Sequence, residues 1–213
     1  MEHKVREIFG PSSESLVVID IGAFVGSVSQ AFADWYQNAT VYAVEACPKN
    51  FNVLCKRTRD DKRIRTIHAA VCGRDGVVSF CTVSDPKCQK THKGTSSRSN
   101  SIYKSPAKRF EGMRRVDIKS YTVDSLCAEF GINHINILKI NSEGAEYSTF
   151  RKNSKFLRFT DLIAVQMHGR KLVKNYFQLR KDIRDVLKRR FNLAWTSGPI
   201  KSRGHIDQIW VRK

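Results

Sequence analysis

Short, continuous apolar runs alternate with stretches of helical periodicity along the first part of the chain, and runs of that kind are strands buried on both faces. LVVIDI (16–21), TVYAVE (40–45) and IRTIHAAV (64–71) are the first three. A helix is expected through Trp35 after the first, and a second one after Pro48, which suits a first helical turn and is followed by Phe51, Leu54 and Cys55. CGRDGVVSFCTV reads as a turn and a further strand. From Ser84 to Arg115 the periodicity fades and Ser, Lys, Gly and Pro become prominent, which predicts an insertion rather than a linker. VDIKSYTVDSL restores a strand, with Thr122 or Asp124 near a helix start; INILKIN (135–141) and DLIAVQM (161–167) are buried strands with another helix between them. Over 172–191, Leu172, Tyr176, Leu179, Ile183, Val186, Leu187 and Phe191 fall on one helical face, and strands near FNLAWTS and IDQIWVR close the chain. The order predicts a doubly wound α/β sheet with an antiparallel strand pair at its end, in one domain over 1–213 that carries a basic insertion at about 84–115.

A chain of 213 residues, 41% hydrophobic and 27% charged, can bury a sizeable core, which argues against whole-chain disorder. No apolar run approaches the ~20 residues that span a bilayer, and MEHKVREIFG lacks the apolar core of a secretory signal, so the expectation is a cytoplasmic protein with no membrane span. The six cysteines form no CxxC pair and no zinc-ligand spacing, which predicts reduced, mostly buried thiols and no metal site. The formal net charge of +18 is less ordinary. Residues 86–120 hold ten Lys or Arg against two acids, and residues 151–190 hold thirteen against three, so an anionic partner has to be considered.

The stretch VVIDIGAFVGSVSQAF (17–32) carries the chemistry: a strand, a glycine turn and a helix start. A dinucleotide fingerprint needs glycine at its second position so that backbone can approach a pyrophosphate, and Phe24 stands there instead. No GK[ST] follows, which excludes a P-loop. The remaining common occupant of a DxGxxxG turn such as DIGAFVG (20–26) is S-adenosylmethionine, with its carboxylate at the helix start and Asp20 near its ammonium. Glu45, at the end of the second strand, is where an acid accepts hydrogen bonds from both ribose hydroxyls.

With VYAVEACPKNFNVL, HAAVCGRDGVVSF, YTVDSL and above all INILKINSEGAEYSTF, the sequence resembles the FkbM-like methyltransferases over about residues 16–168. The resemblance implies the class I methyltransferase (Rossmann-like) fold with a mostly parallel seven-stranded sheet, S-adenosylmethionine as cofactor, and O-methylation of a hydroxyl on a sugar, glycan or other metabolite. It implies a cofactor set of Asp20, Gly22, Ala23, Phe24, Gly26, Glu45 and Ala46, with Ala69 and Ala70 near the adenine. The family's Lys-Ile-Asp element ends here in Asn141, and the acid of its Glu-x-His pattern is Gln166.

Asn141 has two readings, an N-cap for a helix beginning near Gly144 or an amide that orients the acceptor; Glu143 and Glu146 equally suit a first helical turn or the chemistry. His168, after the fifth core strand, is the expected base, which places His168, Asn141 and Glu143 as catalytic candidates. Three functional classes stay open. A metabolite or glycan acceptor follows the resemblance; an RNA or DNA acceptor is motivated by Tyr103 and Phe110 among Lys104, Lys108, Arg109, Arg114 and Arg115; a catalytically silent cofactor- or RNA-binding module is motivated by Asn141.

Overall fold

The computed structural model describes residues 1–83, 113–151, 153–169, 173 and 175–213. Alternating side-chain direction along β1 (Val17–Ile21) sets up both faces of the main sheet: Val18 enters one hydrophobic layer, Ile19 and Ile21 the other. The same alternation runs through β2 (Thr40–Glu45), where Val41 and Ala43 face one layer and Tyr42 and Val44 the other. It runs again through β7 (Ile135–Ile140) and β8 (Thr160–Met167). With β3 (Ile64–His68), β9 (Phe191–Thr196) and β10 (Ile206–Arg212) these strands form a seven-stranded sheet in the order β3-β2-β1-β7-β8-β10-β9. The pairs from β3 to β8 are parallel; β10 is antiparallel to both β8 and β9.

One layer is made by α1 (Glu2–Phe9), α2 (Ser27–Trp35) and α3 (Pro48–Thr58), whose Val5, Phe32, Ala33 and Leu54 pack on Val18, Val41, Ala43 and Ile137. The other is made by α4 (Val123–Glu129), a short 3-10 helix at Lys155–Arg158 and α6 (Tyr176–Leu187), with α5 (Glu146–Thr149) between β7 and β8. Pro48 does open α3, and Thr122 caps α4 by accepting from the Ser125 N–H.

Three expectations are adjusted. IRTIHAAV is not one strand: β3 ends at His68, and β4 (Ala70–Val71) leaves to pair with β6 (Met113–Tyr121), which with β5 (Gly76–Val83) makes a separate sheet ordered β4-β6-β5. The 172–191 helix is shorter, Tyr176–Leu187, because Asn175 sits in the left-handed region before it and Phe191 already belongs to β9. Most of the basic insertion, including Lys104, Lys108 and Arg109, lies outside the described residues; Arg114 and Arg115 are exposed on β6. No helix among the described residues is long and apolar enough to cross a membrane.

Candidate active site

Strand order reverses at β1, whose neighbours are β2 on one side and β7 on the other, and ligands in open α/β sheets sit outside the strand ends at such a point. A cavity of about 650 Å³ opens there. Its lining follows the sheet: Ala69, Ala70 and Phe80 at one end, then Glu45 at the end of β2, Gly22 after β1, Lys139 and Asn141 on and after β7, and Gln166, His168 and Asp207 on the far side. Glu45 and His168 are three strand spacings apart, about 14 Å at ~4.8 Å each. The side-chain parity that faces the α1–α3 layer is apolar through the sheet and turns polar at the strand ends, as Asp20, Glu45, Lys139 and Gln166.

Register explains the deepest contact. Asp20 and Lys139 are direct partners on adjacent parallel strands, so their side chains meet as a buried ion pair at 2.7 Å. The approach to Asp20 Oδ1 is too far off line for a hydrogen bond; Asp20 Oδ2 accepts one from Ser29 at 2.7 Å. Lys139 also donates to the Gly22 carbonyl at 3.2 Å. Asp20 therefore spends its carboxylate inside the fold and does not line the cavity, whereas Lys139, not singled out in the sequence, does.

The glycines of the turn answer to their neighbours. Gly22 has φ +75, and a Cβ there would lie 1.9 Å from the Asn141 carbonyl oxygen. Gly26 has φ +82, and its Cβ would meet Leu54 at 2.6 Å. Both are required by close packing of β1 on β7 and of the turn on α3. Gly22, Ala23 and Phe24 line the cavity; Gly26 does not.

Glu45 is held at both oxygens, accepting from the Phe24 N–H and the Cys47 N–H at 2.9 Å each. Burial pushes its carboxyl up to about 7, against the pull of those two N–H groups, the Asn50 side chain and the Lys139 charge. Ala46 lines the cavity beside it.

At the far end the turn after β7 and the end of β8 build a carboxylate–imidazole–carboxylate cluster. Glu146 is fully buried: its Oε1 accepts from the His168 backbone N–H at 2.8 Å and meets His168 Nδ1 at 2.9 Å, and its Oε2 accepts from the Gly144 N–H at 2.8 Å. His168 Nε2 lies 3.3 Å from Glu143. Burial opposes the His168 cation, but hydrogen bonds and charge from Glu143 and Glu146 outweigh it and raise the imidazole to about 10. Burial likewise works against ionised Glu146, and the His168 cation more than compensates, holding that carboxyl below its usual range. Both ring nitrogens of His168 thus face carboxylates, and the histidine expected as a base stands within an ion-paired cluster at the cavity wall.

Asn141 does not cap a helix. The first residue of α5 is Glu146, preceded by Ala145, and Asn141 Oδ1 is buried in the cavity wall with no hydrogen-bond partner. Arg180 was counted in the sequence among the basic residues of 151–190; it is fully buried, and its guanidinium donates to the carbonyls of Met167, Ile200, Ser202 and Gly204, fixing the turn that carries His205 and Asp207 into the cavity wall. Asp207 in turn accepts from Gln166 at 2.7 Å. Among the described residues no three His, Cys, Asp or Glu side chains converge as metal ligands.

The family model for the methyltransferase FkbM domain matches residues 20–192. Among solved structures, the Methanococcus jannaschii fibrillarin pre-rRNA processing protein superposes with a TM-score of 0.53 at 12% identity, over 100% of this chain and 74% of its own. Aeropyrum pernix fibrillarin with natively bound S-adenosyl-L-methionine gives 0.51 at 12% identity, over 95% and 69%. At such identities the likeness is one of fold. No curated protein matches the sequence.

Proposed function

Because the chain belongs to the FkbM methyltransferase family and is an S-adenosylmethionine-dependent methyltransferase, we propose that its acceptor is a hydroxyl on a sugar, glycan or other small metabolite. The observation that carries this is the chemistry of the cavity wall. Its described lining has one lysine and no arginine, and that lysine is already paired with Asp20. The His168 end is walled by Asn141, Glu143, Gln166 and Asp207, acceptors and amides suited to a polyhydroxylated molecule and ill suited to a phosphate.

Two features support a fit to the cofactor. Asn141 Oδ1 is a buried acceptor without a donor, a state that costs about 1–3 kcal/mol and that a bound ammonium or hydroxyl relieves. Glu45 stands between that amide and the apolar slot of Ala69, Ala70 and Phe80. On this reading Glu45 accepts from the ribose hydroxyls, its orientation fixed by the Phe24 and Cys47 N–H groups, while Ala69, Ala70 and Phe80 take the adenine. Asp20 acts through Lys139, holding it beside the turn of Gly22 to Phe24, which would take the methionyl end of the cofactor. S-adenosylmethionine brings an already activated methyl group, so the chain's main task is to align acceptor and donor, a source of roughly 7–11 kcal/mol. Asn141 and Gln166 orient the acceptor, and the whole chain works as one methyltransferase domain. A nucleic-acid acceptor is the second reading, favoured by the net charge of +18 and by exposed Arg114, Arg115, Lys181 and Lys188.

Transfer of tritiated methyl from S-adenosylmethionine into fractionated extract tests the proposal. Label is expected in the carbohydrate or small-molecule fraction; label confined to RNA or DNA would replace the first reading with the second.

A further inference from the structure

Three polar side chains of the cavity wall stand in a row across neighbouring strands. Ile140 of β7 is the partner of Val165 on β8, so Asn141 follows beside Gln166, and Gln166 is in turn the direct partner of Asp207 on β10. Asp207 is fixed on every side but one. Its backbone N–H donates to the Ser197 hydroxyl and its carbonyl accepts from the Ser197 N–H, at 2.9 Å each. Its Oδ1 accepts from Gln166 at 2.7 Å. The turn before it is held by Arg180, and it packs so closely on the chain after β8 that a Cβ at Gly169 would collide with the Arg203 and Gly204 carbonyls. Asp207 Oδ2 has no partner among the described residues.

Granting the hydroxyl-methylating reading above, we infer that Asp207 is a specificity-determining residue that binds the acceptor. Its open oxygen accepts from a hydroxyl or ammonium of a sugar-like molecule, and it disfavours acceptors that place a carboxylate or phosphate there. Position sets the ligand's size. Asn141 Oδ1, the buried oxygen without a donor, stands at the other end of the row, two strand spacings away. That is roughly 10 Å at ~4.8 Å each, the reach of one sugar ring hydrogen-bonded at both ends. Both ends are acceptors, so the ligand must bring the donors. Asp207 lies beyond the residues 20–192 that the family model matches, so the acceptor is read by a strand outside that segment.

Among the described residues no cation forms an ion pair with Asp207, because those nearby are engaged elsewhere. Lys139 pairs with Asp20 at 2.7 Å, His168 lies between Glu143 and Glu146, and Arg180 spends its guanidinium on backbone carbonyls. An anionic group set against Asp207 would meet like charge with nothing to offset it, whereas an ammonium or hydroxyl would make a charge-assisted hydrogen bond.

Two measurements on the full chain test the inference. With the protein saturated with S-adenosylhomocysteine, glucosamine, glucose and glucuronate are compared by melting shift at matched ionic strength. Glucosamine should raise the melting temperature more than glucuronate, and Asp207→Asn should erase that margin while keeping the shift given by S-adenosylhomocysteine alone. A glucose shift equal to that of glucosamine would assign the donor as a hydroxyl, and a smaller one as the ammonium. A glucuronate shift no smaller than that of glucosamine in the wild type, or a margin that survives in Asp207→Asn, would overturn the assignment without any acceptor being known. In the tritium assay on the carbohydrate fraction of extract, Asp207→Asn should raise KM for that fraction roughly 10- to 100-fold with kcat changed far less. The wild-type labelled product should pass an anion exchanger unretained. An unchanged KM, or a product retained as an anion, would also overturn the assignment. Label in no fraction, or in RNA or DNA alone, would count against the acceptor reading instead, and the sugar comparison would still decide the role of Asp207.

Discussion

Ribose hydroxyls donate best to an ionised carboxylate, and burial holds Glu45 partly protonated near neutrality, with its carboxyl raised from 4.5 to about 7. Because the raised value means the ligand-free fold takes up a proton that the unfolded chain would release, ionising Glu45 destabilises the ligand-free protein as pH climbs from 4.5 through 7. A cofactor that needs the ionised form must displace that proton below pH 7. Affinity for S-adenosylhomocysteine should therefore rise up to tenfold per unit between pH 5.5 and 7 and level off above, as titration calorimetry can measure. Glu45→Gln should bind more weakly and show no such slope; a slope that survived would point to another group. Glu45 stands out in the sequence as an acid ending an apolar strand, and the structure places it in the cavity wall. Lys139 and Arg180 do not, since a basic side chain in a chain this basic reads as surface until the register and packing bury it.

Elements at this site depend on contacts between segments far apart in sequence. Arg180 ties α6 to the end of β8 and to the turn before β10 through four backbone carbonyls, so Arg180→Met leaves those groups buried without their donor. The expected loss is about 3–5 kcal/mol, or a melting temperature lower by roughly 10 °C. Arg180→Lys should recover little, because an ammonium cannot fork to several carbonyls at once. A variant that melts like the wild type would show that the turn holds itself. The glycine turn was legible as a turn, but the reason for its glycines was not: the Asn141 carbonyl and Leu54, which exclude a Cβ at Gly22 and Gly26, come from other elements. The division of IRTIHAAV between two sheets was hidden for a like reason. An apolar run specifies burial; the choice of partner, β2 for Ile64–His68 and β6 for Ala70–Val71, belongs to the assembled sheets.

Charge is a property of the whole molecule, and here its outside and its cavity differ. The chain carries +18, yet the described lining offers one lysine, already paired, and no arginine. With a small neutral acceptor, replacing Lys104, Lys108, Arg109, Arg114 and Arg115 by Gln should leave methyl transfer and its weak salt dependence unchanged. Single-stranded RNA should not compete at physiological salt. A log–log salt slope of about −0.7 per neutralised phosphate, flattened in the five-residue variant, would instead establish the nucleic-acid reading. By itself the sequence determined the alternation of buried strands and helices, the DxGxxxG turn, the acid that ends β2 and the family, because each is written in residues close together along the chain. Only the tertiary structure decided that Asp20 pairs with Lys139, that Asn141 is an orphaned acceptor and not a cap, and that His168 lies between two carboxylates. Those states are set by which strands lie side by side and by how far burial removes each group from water, and local sequence carries neither quantity.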